Sequence, residues 1–393
     1  MSSRDRTGIP PLLFPSVLLP RGAAHSPSVH KIHILGEDER SKFIAHALSS
    51  VYDSVEMLSW RNQPSARYRN IQKRPPSIRG ASPEIEPNRV VPRPIAESED
   101  APIDQLIVTG RGHEAAKALD LVKSRIDERT TICLMNEGLG VLEDVRRKVF
   151  AGVENSPRFL LGHMNHRLVF NRAYDAVTQL KPGRLMVTEP RSSRIRVNTM
   201  QKIESSQNLV RSVARVNARN LKHYLTPYDQ WLQFKLPTIL FDAVVEPVCV
   251  LLELPYRGLL QNPGARRMMQ SLLAEISHVL ENLPELQYST VIRDYLHRNS
   301  TQKLLYNKIL GKRSQPSQLL RRVEYGLPTD VEYLNGYFLR RSRQLGIKMP
   351  MNSMVRNTIK AKHSQAIERL NSFVAVEETS IPSDLSFRYR TSP

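Results

Sequence analysis

Six consecutive residues, Gly36-Glu37-Asp38-Glu39-Arg40-Ser41, carry the spacing of a phosphate-binding turn with most of its chemistry replaced. A turn that receives a dinucleotide pyrophosphate reads G-x-G-x-x-G between an apolar strand and a helix. Its glycines let the backbone approach the phosphates, and the free N–H groups of the helix N-terminus hold them. Here the three positions are Gly36, Asp38 and Ser41, so a carboxylate stands where the backbone must come closest to the anion. Glu37 and Glu39 add two more negative charges at the same turn. Carboxylates are favoured at a helix N-terminus for the reason phosphates are, so these side chains compete for the anion's place. Two arginines stand where a nucleotide could still be met: Arg61 after the second strand, suited to a 2′-phosphate, and Arg111 after the third. Both also read simply as surface residues of an Arg-rich chain. The eleven histidines show no metal-ligand spacing, and Cys133 and Cys249 are isolated in apolar stretches. Neither a metal site nor a disulfide framework is expected.

The elements that must position this turn alternate in type. Ile32, Ile34 and Leu35 form a strand before it, and Phe43, Ile44, Ala47 and Leu48 form an apolar helical face after it. Strands follow at 55–60, 104–109, 131–135, 158–161, 167–170 and 184–189, with helices at 114–126 and from Val141 through Phe150. Alternating strands and helices predict a parallel sheet covered on both faces. Residues 61–100 interrupt the pattern with a Pro- and Arg-rich insertion, read as a long exposed or mobile loop. From 203 to 372 the 3.6-residue period dominates, predicting helices at about 205–222, 228–255, 263–282, 288–299, 301–311, 329–346 and 353–371. The expected organisation is a possible targeting or disordered segment over 1–30, an α/β domain over 31–190, an all-α domain over 203–372, and a tail over 373–393.

Longer motifs sharpen this. DVEYLNGYFLRRSRQLGIKMPMNSMVRNTIKAKH (330–363) and EPVCVLLELPYRGLL (246–260) resemble the C-terminal signatures of the ketopantoate reductase (2-dehydropantoate 2-reductase) family. IDQLIVTGRGHEAAKAL, CLMNEGLGVLEDV and LLGHMNHRL resemble its sheet elements, the last in fungal form. The resemblance spans about 31–365 and implies a Rossmann-like domain followed by a helical domain of the 6-phosphogluconate-dehydrogenase type. It also implies NADPH as cofactor, with a lysine that assists hydride delivery to a 2-keto acid while asparagines and a carboxylate hold the substrate. Counting back from Glu246-Pro247, the lysine position falls on Thr238 and the two asparagines on Asp242 and Glu246. The asparagine of the loop between sheet and cofactor falls on Glu137, and the glutamate on Asp330. Lys235 lies three residues before Thr238 as a substitute, out of register by most of a turn. Asn335 and Gly336 persist as helix-packing residues. With the acidic turn, these changes lead to the expectation of a pocket altered throughout: no cofactor, or NADPH if reduction persists, and no confident catalytic residue.

A net charge of +19 and a pI near 10.1 favour a polyanionic partner. Arg211, Arg215, Arg219 and Lys222 recur at four-, four- and three-residue steps, predicting one cationic helical stripe, and 340–369 holds eight basic residues against Glu368. Such stripes suit a phosphate backbone. A narrower resemblance, over 240–280 and 330–363, is to fungal mitochondrial translational activators of the cytochrome b type. It implies a mitochondrial mRNA leader or the mitoribosome as partner, in the matrix or at the inner membrane's matrix face. An assembly adaptor is a further alternative. No stretch reads as a membrane span, since 236–254 contains Asp242, Glu246, Pro237 and Pro247. Residues 1–30 are acid-poor like a transit peptide but rich in proline.

Overall fold

The computed structural model describes residues 31–60, 69–70, 92–94, 101–152, 156–171, 176–190, 209, 221–297 and 300–372. Strand Lys31–Leu35 (β1) lies between two parallel neighbours, Ser54–Ser59 (β2) and Gln105–Val108 (β5). Short strands Arg69–Asn70 (β3) and Pro92–Pro94 (β4) come between β2 and β5 in the chain. Thr131–Leu134 (β6), Arg158–Met164 (β7), Arg167–Asn171 (β8), Ala176–Lys181 (β9), Gly183–Thr188 (β10) and Leu221–Leu225 (β11) follow. The main sheet has eight strands in the order β11-β10-β7-β6-β5-β1-β2-β4, and β3, β9 and β8 form a second, small sheet. Every ladder of the main sheet is parallel except β7–β10.

Helix Glu39–Leu48 (α1) covers one face of this sheet, packing Phe43, Ile44 and Leu48 on Ile32, Ile34 and Met57. Gly112–Leu121 (α2) and Val141–Lys148 (α3) cover the other, packing Ala115, Leu119 and Val145 on Leu35, Leu106 and Ile132. Because both faces are buried, the central strands are continuous apolar runs and do not alternate with polar residues. Part of the insertion is ordered as well. Residues 92–94 form the edge strand β4 along β2, where two prolines are tolerated because an edge strand need not donate outward.

Two helix expectations change. The stripe expected over 205–222 ends in a strand: Lys222 belongs to β11 and pairs with Arg184 of β10, so it cannot continue a helical row. Tyr224 and Leu225 favour an extended edge, and the open side of β10 gives it a partner. Arg211, Arg215 and Arg219 lie outside the described residues.

The single helix expected over 228–255 is three pieces, Tyr228–Leu240 (α4), a wide π turn Phe241–Val245, and Glu246–Leu252 (α5). Pro237 sits inside α4, and the Phe241 N–H bonds to the Thr238 carbonyl, which frees the Pro237 carbonyl. Lys308 Nζ takes that carbonyl at 2.8 Å. Glu253 ends the run in the left-handed region at φ 53°. Helices Tyr256–Gln261 (α6), Pro263–Glu281 (α7), Thr290–His297 (α8), Ser300–Gly311 (α9), Gln318–Glu324 (α10), Asn335–Gln344 (α11) and Pro350–Asn371 (α12) complete the chain. Their core includes Leu236, Phe241, Val248, Leu272, Phe338 and Val355, each fully or almost fully buried.

The two halves meet over the C-terminal ends of the central strands. Tyr333 is the wedge: its carbonyl accepts from Leu139 N at 2.7 Å and its hydroxyl donates to Asp144 at 2.6 Å. A Cβ at Gly138 would lie 2.5 Å from the Tyr333 Cβ, so this loop must carry glycine there.

Candidate functional site

The turn after β1 closes on itself. Asp38 caps α1 by accepting from Ser41 N at 2.9 Å, and the same oxygen accepts from the Thr109 hydroxyl at 2.8 Å. Its second oxygen takes the Arg40 Nε at 2.7 Å. Burial opposes ionisation, but the Arg40 charge and these donors hold the carboxyl below its usual range. Gly36 is required by contact, since a Cβ there would lie 2.1 Å from Thr109 Oγ1. Glu37 accepts from Ser59 at the end of β2, where a nucleotide ribose would be read. The Ser41 amide at the helix N-terminus and the Ser59 hydroxyl at the end of β2 are thus engaged by the chain's own carboxylates. The residues present do not fit a dinucleotide bound in the usual way.

A row of ions continues from this turn to the helical half. Arg40 reaches Glu137 at 3.3 Å, Glu137 reaches Arg111 at 3.5 Å, and Arg111 reaches Asp330 at 3.1 Å. Asp330 also meets His113 Nδ1 at 2.7 Å and is buried. Its carboxyl is held low by the His113 hydrogen bond and charge and by Arg111, against its burial. Arg111 therefore pairs with carboxylates from both halves of the chain. Arg61 lies outside the described residues.

Beside this row a cleft of about 930 Å³ opens between the halves. Thr238, Asp242 and Lys235 from the kinked helix line it, with Glu137, Arg40, His163, Arg184 and Lys308. Lys235 was expected to be out of register, yet its side chain is buried in the wall, 5% exposed. The kink and the wide turn change the phase between Glu246 and Lys235, so counting along an ideal helix misjudged where it points. Lys235 Nζ donates to the Asn136 carbonyl at 3.1 Å and lies 5.0 Å from the Trp231 ring centroid. Burial and the nearby Arg40 charge bring its ammonium down to about 7. Asp242 moves the other way, up to about 8, through burial and the charges of Glu246 and Glu137. His163 is pushed well below its usual value by burial and then by Lys235.

Glu246 is turned away from this chemistry. It is 4% exposed, and its carboxylate accepts from the Tyr256 hydroxyl, from Ser317 Oγ at 2.6 Å and from Leu319 N at 3.1 Å. This side chain ties α5 to α6 and α10. Asn335 Nδ2 likewise packs helices, donating to Ala243 O at 2.8 Å and Asn352 Oδ1 at 2.9 Å.

The model of ketopantoate reductase PanE/ApbA matches residues 32–200, and that of ketopantoate reductase PanE/ApbA C terminal matches 230–363. The chain belongs to the ketopantoate reductase family. Two curated relatives are 2-dehydropantoate 2-reductases. The one from Aquifex aeolicus is 22% identical over 264 residues, 66% of this chain and 76% of the relative. The one from Saccharomyces cerevisiae is 22% identical over 356 residues, 82% and 90% respectively. Among solved structures, a dimeric ketopantoate reductase from Staphylococcus aureus aligns with TM-score 0.59 at 14% identity, covering 86% of this chain and 99% of that one. A probable 2-dehydropantoate 2-reductase from Bacillus subtilis gives 0.57 at 17%, covering 84% and 99%. These likenesses establish the Rossmann-like and helical halves.

Within that family frame, the structure brings Thr238, Asp242, Lys235 and Glu137 to one cleft, buries Asp330 outside it behind Arg111, and withdraws Glu246. Arg40, Asn136, His163 and Lys308 were missed in the sequence. Only Arg40, two residues from Asp38 and opposite in charge, gave a local signal. Among the described residues no cluster could hold a metal ion, and no helix is long and apolar enough to cross a membrane.

Proposed function

We propose that this chain is a ketopantoate reductase family member that binds a small organic carboxylate in its interdomain cleft and has given up hydride transfer. The observation that carries this reading is Asp38, whose carboxylate occupies the N-terminal amide of α1 and is itself held by Thr109 and Arg40. The withdrawn Glu246 and the threonine at the family's lysine position point the same way. The cleft remains attractive to an anion. Arg40, Arg184, Lys235 and Lys308 line it, Glu39 and Glu137 oppose them, and Asp242 is largely protonated near neutral pH. Calorimetric titration tests this: saturable ketopantoate or pantoate binding without NADPH binding is expected. Ketopantoate-dependent NADPH oxidation would overturn it.

Ancestry favours a second reading, an NADPH-dependent 2-keto acid reductase, because both curated relatives carry that name. Its structural support is Lys235, a buried amine at the cleft with an acidity suited to proton transfer. The same titration separates the two readings.

The expected work of the non-catalytic form is association with a mitochondrial mRNA leader or the mitoribosome. Support for it is the net charge of +19 and the narrower sequence resemblance. The stripe over 340–369 supports it less than the sequence implied. Glu332 pairs with Arg340, Arg356 and Lys360, Glu285 with Arg341, and Glu253 with Lys362. Co-sedimentation with mitoribosomes, repeated across a salt series, tests the association.

A further inference from the structure

We propose that Lys235 captures 2-oxo acids covalently, forming a reversible imine between its Nζ and the ligand's keto carbon within the cleft. This rests on the reading of the cleft as a carboxylate site and names its ligand class. The geometry begins with the amine's surroundings. Lys235 is 5% exposed, lines the cleft wall, and its hydrogen bond goes to a neutral acceptor, the Asn136 carbonyl at 3.1 Å. A lysine set among structural ion pairs would be expected to meet a carboxylate; this one meets a carbonyl and an indole face. Arg184 and Lys308 line the same cleft and supply charge for the ligand's carboxylate, leaving its C2 carbonyl free for the amine.

The chemistry is balanced without a redox partner. The amine lone pair attacks C2, giving a carbinolamine; the former keto oxygen then leaves as water with both amine protons, and a C=N bond remains. Solvent in the open cleft relays these protons from the nitrogen to the departing oxygen. Burial and the Arg40 charge favour the attack by bringing the amine down to about 7. A desolvated lysine beside other cations is the usual way to obtain a nucleophilic amine at neutral pH.

Reductive trapping tests the inference. The full chain is incubated with ketopantoate or pyruvate and sodium cyanoborohydride, digested, and mapped by mass spectrometry. One dominant reduced adduct is expected on the peptide containing Lys235, suppressed by excess pantoate, which lacks the keto group. Lys235→Met should abolish it. The trapping rate should rise with pH through about 7. The charged and titratable groups facing the amine are Arg40 from α1, Glu137 from the loop after β6, and His163 from β7; Lys308 from α9 adds a more distant positive field. Arg40→Gln should therefore shift that limb upward. Adducts spread over surface lysines, or an adduct surviving in Lys235→Met, would overturn the inference. Calorimetric binding of ketopantoate with no adduct would sink the imine and leave the carboxylate site standing. Absence of both would remove the carboxylate site too.

Discussion

Asp38 at the strand–helix turn and Asp242 in the cleft are two carboxylates driven in opposite directions by their neighbours. Asp38 meets a backbone amide, a hydroxyl and a guanidinium, all of which favour the ionised form. Its stabilisation is fully present above the ordinary carboxylate range and is lost as pH falls through its lowered native value. Asp38→Ala should therefore cost about 1 kcal/mol near neutral pH, as for other helix caps, and less in acid; thermal melts across pH check this. Asp242 lines the cleft, partly buried and within the field of Glu246 and Glu137. Its native value is raised, so the folded state binds the extra proton between about pH 4 and 8, and stability falls as pH rises through that window. Asp242→Asn should remove this slope and gain about 2 kcal/mol at pH 8, measured by denaturant unfolding. The identity of both residues was legible in the sequence, and so was the conflict of Asp38 with a phosphate. The direction of Asp242 was not, because it depends first on burial, with Glu246 and the distant Glu137 adding to it.

At the scale of elements, the run from 228 to 252 shows where periodicity stops informing. Its apolar pattern reads as one helix, and the core it fills is the one expected. What redirected the site was a phase change: Pro237 followed by a wide turn, with Lys308 from α9 satisfying the carbonyl released between them. A partner seventy-one residues away in sequence leaves no local trace. Glu246 teaches the same lesson, since its position reads as a substrate ligand and its three donors make it a brace between helices. Glu246→Ala should destabilise by about 3 kcal/mol, because it orphans buried donors on two other elements. Tyr256→Phe, which removes one donor and leaves the carboxylate two others, should cost about 1 kcal/mol. A change in the opposite order, by chemical denaturation, would mean that the cluster does not tie α5 to α10.

For the whole molecule, the halves are joined by Asp330 with Arg111 and His113, and by Tyr333 wedged against the glycine loop. Asp330→Asn leaves the fold of each half untouched and weakens the seam. Calorimetry should show the single transition broadening or dividing in two, most clearly at low salt. The order of strands before helices was readable from the alternation of periods, whereas the antiparallel β7–β10 pair and the edge strand β4 were not, being chosen by neighbours and not by pattern. Charge was read with the same limit. Counting acids only within 340–369 left its cations open, while the fold brings Glu332, Glu285 and Glu253 to them from elsewhere.

The cap of α1 has one more consequence. A side chain fixed one turn from the amide it occupies behaves as a ligand at enormous effective concentration, since it loses almost no translational freedom on binding. Dilution or dialysis does not remove it. Competition with an anion for the Ser41 amide is therefore built into the chain, and a change at residue 38 would lift it.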